Sequence, residues 1–329
     1  MNRRSFLARS AAASIVAGGV WRGGSVFGAE PAAAKSSKAA AKPSTNAPAK
    51  KDVYVPPNLV APLVGSQLYG WGQYFDRKGT KMSGHLDDVF KSLRSSGYDY
   101  AEGSLDVAAP ENNRRLADRM TKQGLKPVSL YTGGAVHVLG KATETVERIG
   151  VAAREAAKAG FGIVNFNPDP IGRDKTDKEL EIQAEALNEL GAFLAESGIR
   201  LGLHHHTPEL RNGAKEFHSN FERCPGNQVG FCYDVHWVFR GGIAPADCLR
   251  QYGSRIVSWH LRQSRDRIWW EDLDTGDIDY TAVAEFASGH KLPQFYTVEL
   301  ALEFGTRITR DAEANHARSR EFVRRIFGV

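Results

Sequence analysis

Cysteine, methionine and long apolar runs are all scarce in this chain. Of its 329 residues, three are cysteine and three are methionine. Cys224, Cys232 and Cys248 include no CxxC pair, which argues against a cysteine-rich zinc site. One disulfide is left open, with three buried free thiols the simpler expectation. No apolar run is long enough to cross a bilayer comfortably; the stretch from Ala11 to Val20 falls well short of the roughly 20 residues required. Charge of one sign is also missing from most of the chain. The formal net charge is +5, but the first 52 residues hold nine Lys/Arg against two Asp/Glu, and the remainder holds 34 against 36. A near-neutral body offers no basic footprint for nucleic acid. The 42% hydrophobic and 25% charged content is ordinary for a globular protein.

The basic excess sits at the start. Arg3-Arg4-Ser5-Phe6-Leu7, followed by an Ala/Gly-rich weakly apolar run, resembles a bacterial twin-arginine (Tat) export signal over residues 1–29. That resemblance implies a periplasmic protein with no stable membrane insertion after processing. Residues 30–57 are built of Ala, Lys, Pro and Ser. Without apolar anchors they cannot offset the entropy of ordering, and they read as a flexible linker.

From residue 58 onward two element types alternate. Strand-like runs are expected over 64–70, 98–104, 126–132, 162–168, 200–206, 229–235, 256–262 and 295–301. Helical periodicity is expected over 85–96, 111–123, 141–159, 177–196, 245–252, 280–288 and about 310–326, with 214–223 the weakest helix. Strands alternating with helices argue for a parallel sheet, and eight such units fit a single closed (β/α)8 barrel. A doubly wound sheet is the alternative, but Tyr69-Gly70-Trp71-Gly72 after the first strand lacks the third glycine of a phosphate loop.

Barrel chemistry sits at the carboxyl ends of the strands. The fifth strand runs into His204-His205-His206, where alternation puts His204 and His206 on one face and His205 on the other. The sixth ends in Asp234-Val235-His236, the seventh in His260-Leu261-Arg262, and the eighth in Glu299. Each has a plain structural reading: Asp234 as a helix cap, His260 as a satisfied core histidine, Glu299 as an ion-pair partner of Arg262. Together, His204, Asp234, His260 and Glu299 make a mixed nitrogen and oxygen set suited to Mn, Zn, Co or Fe as one divalent ion. Glu102 ends the second strand, and Asn165 and Asn167 share a face at the end of the fourth. These asparagines could meet sugar hydroxyls. Arg262, Arg265 and Arg267 could receive an anionic group or brace their loop. Trp269 and Trp270 suit a sugar-stacking lid, a subunit contact in a homo-oligomer, or core packing. Asp279 is placed to cap the next helix.

From about residue 64 to its end the chain resembles the xylose isomerase-like barrel superfamily, which includes sugar phosphate isomerases and epimerases. The resemblance is carried by Gly202-Leu203-His204-His205-His206-Thr207, Cys232-Tyr233-Asp234-Val235-His236-Trp237, Ser258-Trp259-His260-Leu261-Arg262, Gly276-Asp277-Ile278-Asp279-Tyr280 and Thr297-Val298-Glu299. It implies a metal held by Asp234, His260 and Glu299, with His204 where ketose epimerases of the group have glutamate, as in branches resembling inosose dehydratases. Arg262-Gln263 stands where many relatives have Lys-Asp. The implied chemistry is removal of a proton beside a carbonyl of a small carbohydrate or polyol. Glu299 is the expected base, and His206, His236 and Glu102 are expected proton donors or acceptors. Because one carboxylate is replaced, elimination by a lyase or dehydratase stands beside isomerisation. A metal-dependent phosphodiesterase and a non-catalytic sugar-binding barrel are more distant alternatives.

Overall fold

The computed structural model describes residues 58–329. The expected signal segment and linker lie outside them.

Eight parallel strands close into a barrel: β1 (Leu63–Gln67), β2 (Tyr100–Ser104), β3 (Ser129–Gly134), β4 (Ile163–Pro168), β5 (Arg200–Leu203), β6 (Gly230–Asp234), β7 (Ile256–Leu261) and β8 (Phe295–Val298). Each strand pairs with its neighbour in sequence, and β8 returns to β1. Among the described residues ten α-helices follow the strands, two of them after β1 and two after β6: α1 (Leu68–Arg77), α2 (Leu86–Ser95), α3 (Glu111–Lys122), α4 (Leu139–Lys158), α5 (Asp177–Glu196), α6 (Arg211–Arg223), α7 (Val235–Arg240), α8 (Pro245–Tyr252), α9 (Tyr280–Gly289) and α10 (Ala312–Phe327). The apolar core lies between the strands and this helical ring, with Leu130, Phe166, Leu187, Leu201, Phe231 and Trp259 among its enclosed members. No helix among the described residues is long and apolar enough to cross a membrane.

Five of the expected strands are too long at their carboxyl ends, the second and fourth end where expected, and the third runs on to Gly134. The first stops at Gln67, whose side chain accepts from the amide of Tyr69 and starts α1. The fifth stops at Leu203, so the three histidines follow the strand rather than finish it. The sixth stops at Asp234, whose side chain accepts from the Trp237 amide at 2.8 Å and starts α7. At Gln67 and Asp234 a polar side chain capping the next helix overrides the β preference of the residues around it. The weak helix expected at 214–223 is present, but Ala214 at its start is left-handed, as are Asn212 and Gly213 before it. Asp279 caps α9, accepting from Thr281 and Ala282. All three cysteines are free and buried.

Inside the barrel, small residues leave room for polar ones. A methyl group on Gly202 of β5 would collide with Oδ1 of Asn165. The bare backbone there admits an amide that supports the site above it.

Candidate metal centre

His204, Asp234, His260 and Glu299 converge at the carboxyl end of the barrel, each offering one ligand atom, all within 4.8 Å of one another. All four are buried. Their supports explain which atoms are offered. Asn167 on β4 donates through Nδ2 to the carbonyl of Pro168 at 2.8 Å and to Oε1 of Glu209 at 3.2 Å. Its Oδ1 therefore faces Nδ1 of His204, 3.2 Å away. That partner assigns the proton to Nδ1 and leaves the lone pair on Nε2. Nε2 stands 3.5 Å from Oδ2 of Asp234, and neither atom has a hydrogen-bond partner. The other oxygen of Asp234 is spent on capping α7.

His260 is held from both sides. Its Nε2 lies 2.8 Å from Oε1 of Glu102 as an ion-pair contact off the hydrogen-bond line, and its Nδ1 lies 2.9 Å from Oε2 of Glu299. Glu102 is fully enclosed, and its Oε2 accepts from Ser129 Oγ and Asn165 Nδ2, both at 2.7 Å. Asn165 in turn accepts from Ser258 at 2.8 Å. Arg262 completes the wall: Nη2 lies 2.5 Å from Oε1 of Glu299 and 3.8 Å from Oδ2 of Asp234.

The electrostatics follow from burial. Desolvation holds His204 well below the ordinary imidazole range, with His260 adding to the effect. Burial also works against a charged His260, but Cys232 and Glu102 outweigh it and hold its pKa well above the usual value. Desolvation would raise Glu299, yet Arg262 and the bond from His260 prevail and hold it low. Asp234 is raised by burial, against the pull of Arg262. Asp234, Glu299 and Glu102 stand against Arg262 and a protonated His260, which leaves one uncompensated negative charge in an enclosed volume. Lone pairs of His204 and Asp234 facing each other without a shared proton, two nitrogens with two oxygens, and that charge surplus all fit one divalent cation of the Mn, Zn, Co or Fe kind.

The other expected site residues have partners of their own. Glu102 is fully enclosed against His260, where it is placed to hold that ring. Asn165 is bonded at both ends of its amide, to Glu102 and Ser258, and Asn167 to His204, Glu209 and Pro168. Arg265 stacks 4.0 Å over Trp270 and donates to the carbonyl of Thr275. Arg267 lies over Phe239 and donates to the carbonyl of Arg240. These two arginines brace the excursion after β7. Trp269 is buried and lies across Arg262, its ring centre 4.1 Å from the guanidinium carbon.

His206 is half-buried, its ring 4.7 Å from that of His204 and 5.1 Å from Trp237. Burial, then His204, lowers its pKa to about 3. His236 is enclosed beside Trp269, with neither ring nitrogen bonded, and burial, then Arg262, lowers it to about 3. His205 points the other way, into Phe217, Phe221 and Phe231. The sequence reading missed Glu209. It accepts from the His206 amide at 2.9 Å as well as from Asn167, and burial, then Glu216, raises its pKa to about 7. Its sequence signal was slight: an acidic residue one step past the Thr207-Pro208 stop.

A closed eight-stranded α/β barrel with a mixed nitrogen and oxygen cluster at the carboxyl ends of β5 to β8 defines the class. The chain belongs to the xylose isomerase-like TIM barrel family, whose pattern matches residues 90–326. Among curated proteins it is similar to inosose dehydratase of Clostridium perfringens (strain 13 / Type A), 28% identical over 91 residues, covering 28% of this chain and 31% of that protein. It is also similar to inosose dehydratase of Mesomycoplasma hyopneumoniae (strain J / ATCC 25934 / NCTC 10110), 23% identical over 191 residues, covering 55% and 63%. The match thus spans less than two thirds of the length of these relatives. Among solved structures, a sugar phosphate isomerase/epimerase from Parabacteroides distasonis ATCC 8503 superposes with a TM-score of 0.66 at 18% identity, covering 80% of this chain and 94% of the other. At that identity the likeness shows the fold.

Proposed function

We propose that this chain is a divalent-metal-dependent enzyme of the sugar isomerase and epimerase kind, acting on a carbohydrate or polyol by removing a proton next to a carbonyl. The observation that carries this reading is the buried quartet of His204, Asp234, His260 and Glu299, whose facing lone pairs and excess negative charge fit one divalent ion. When bound, such an ion supplies Lewis acidity that polarises a carbonyl and its neighbouring hydroxyl. His204 and His260 are held in fixed orientations by Asn167 and Glu102, so the donor set is preorganised. Glu299 is the carboxylate nearest the reacting position, but Arg262 and His260 hold it in its charged form and reduce its basicity. His206, its ring beside that of His204, is the other proton-accepting side chain here, and burial lowers its basicity as well.

A second reading, elimination of a β-hydroxyl from a keto-sugar or keto-inositol, is favoured by one observation: a neutral histidine, His204, occupies the place of a second metal-side carboxylate. An exchange between two carboxylates on opposite faces of a substrate lacks one of its members here. The limited matches to inosose dehydratases support the same reading. The Arg3-Arg4 start supports export of the protein to the periplasm.

The test is metal analysis of purified protein followed by incubation with a panel of sugars and keto-sugars in deuterated water. Stoichiometric divalent metal with deuterium incorporation is expected, and product identity separates epimerisation from loss of water. Protein that retains its fold and full activity after exhaustive chelation would refute the reading.

A further inference from the structure

Tyr131 belongs to neither the ligand quartet nor its supports, yet its ring meets both metal-side imidazoles. It stands on β3, two residues past Ser129, whose hydroxyl bonds Glu102 inside the barrel. Strand alternation turns both side chains inward. The Tyr131 ring lies edge-on to that of His204, with centres 5.4 Å apart and planes at 82°. Its centre is 6.3 Å from that of His260. The ring is half-buried, and its hydroxyl, not sealed from solvent, has no hydrogen-bond partner among the described residues. The quartet is most open at Glu299, whose side chain is 11% exposed against 1% to 2% for His204, Asp234 and His260. Burial apart, Glu299 is also the group that acts most strongly on the Tyr131 hydroxyl, followed by His260. His206, half-buried as well, adjoins the same His204 ring at 4.7 Å. Accessible side chains from β3, from the turn after β5 and from the end of β8 thus gather around an enclosed His204. A phenol donor without a protein acceptor, at the open edge of a cation site, is matched by an oxygen that a ligand brings.

We propose that Tyr131 contacts the substrate, its hydroxyl donating a hydrogen bond to the substrate oxygen that lies beside Glu299 at the open edge of the centre. The inference rests on the metal-site reading above. The ligand class it favours is a carbonyl compound with a neighbouring hydroxyl, which brings paired acceptor oxygens to the cation position. As negative charge develops on the carbonyl oxygen with loss of the neighbouring proton, the same bond strengthens. The contact with His204 fixes the ring, so the hydroxyl is held in place before a ligand arrives.

The full chain is loaded with Mn²⁺, and calorimetry is used to titrate acetohydroxamate, which presents a carbonyl and a neighbouring ionised oxygen as a pair. Tyr131→Phe keeps the ring against His204 and removes only the hydroxyl. It is expected to weaken acetohydroxamate roughly tenfold and to leave Mn²⁺ affinity unchanged. Unchanged acetohydroxamate affinity overturns the proposal. So does an Mn²⁺ affinity that falls as far as that of the probe, because the residue then serves only to position His204. If the phenylalanine variant does not fold, the unaltered protein decides through nitration of Tyr131 by tetranitromethane, read by peptide mass spectrometry. Nitration that slows when acetohydroxamate is bound supports the contact, and an equal extent with and without the probe overturns it. Failure of the unaltered protein to take up Mn²⁺ overturns both readings and is seen before the probe is added. Uptake of Mn²⁺ with no binding of acetohydroxamate overturns the Tyr131 contact alone.

Discussion

Single residues in this site serve two masters, and Glu102 shows what that implies for substitution. Its carboxylate meets His260 from below while accepting from Ser129 and Asn165. Glu102→Gln keeps the shape but removes the charge that steadies the His260 ring. Outer partners of this kind are worth about 10- to 100-fold in metal affinity, and a loss of that size is expected by competition with a chromophoric chelator, with the far-ultraviolet spectrum unchanged. The four ligand candidates were legible in the sequence because each sits at or next to a strand end, where alternation gives a face. Glu102, Asn165 and Asn167 were legible as polar strand-end residues but not in their roles. Alternation says that a side chain points inward; it does not say at what depth. The depth is set by Gly202, whose missing side chain lets Asn165 lie flat beneath the cluster. Glu209 was invisible because it acts across the chain on Asn167, 42 residues away.

At the scale of elements, periodicity located the eight strands and most helices, and failed where a cap took control. Gln67 and Asp234 each end a strand by accepting an amide of the next helix, so α1 and α7 begin inside runs that read as β. Helix α5 shows the same chemistry where it was easy to read. Thr176 and Glu179 exchange side-chain and backbone bonds as a capping box in front of a long amphipathic segment. Thr176→Ala is expected to lower the unfolding free energy by about 1 kcal/mol, measured by urea denaturation, and to leave metal affinity unchanged because α5 supplies no ligand.

Across the whole molecule, Glu209 couples stability to pH. In the unfolded chain a glutamate loses its proton near 4.3; in the fold, burial moves that loss to about 7. Between these values the native state holds a proton that the unfolded state has released, so stability falls as pH rises and levels off above about 7. The contribution is bounded at about 4 kcal/mol. Glu209→Gln is expected to flatten the dependence of unfolding free energy between pH 5 and 8, and a variant with the same slope as the unaltered protein would remove Glu209 as its source.

Asp234 divides its two oxygens between the cluster and the amide of Trp237. A ligand taken up by the first oxygen therefore restrains the second, and with it the opening turn of α7. Amide hydrogen exchange turns this into a clock. Trp237 should exchange more slowly with Mn²⁺ bound than after chelation, while amides in the middle of α5 keep their pace. Occupancy of the centre could then be followed without any substrate, from the lifetime of one backbone proton.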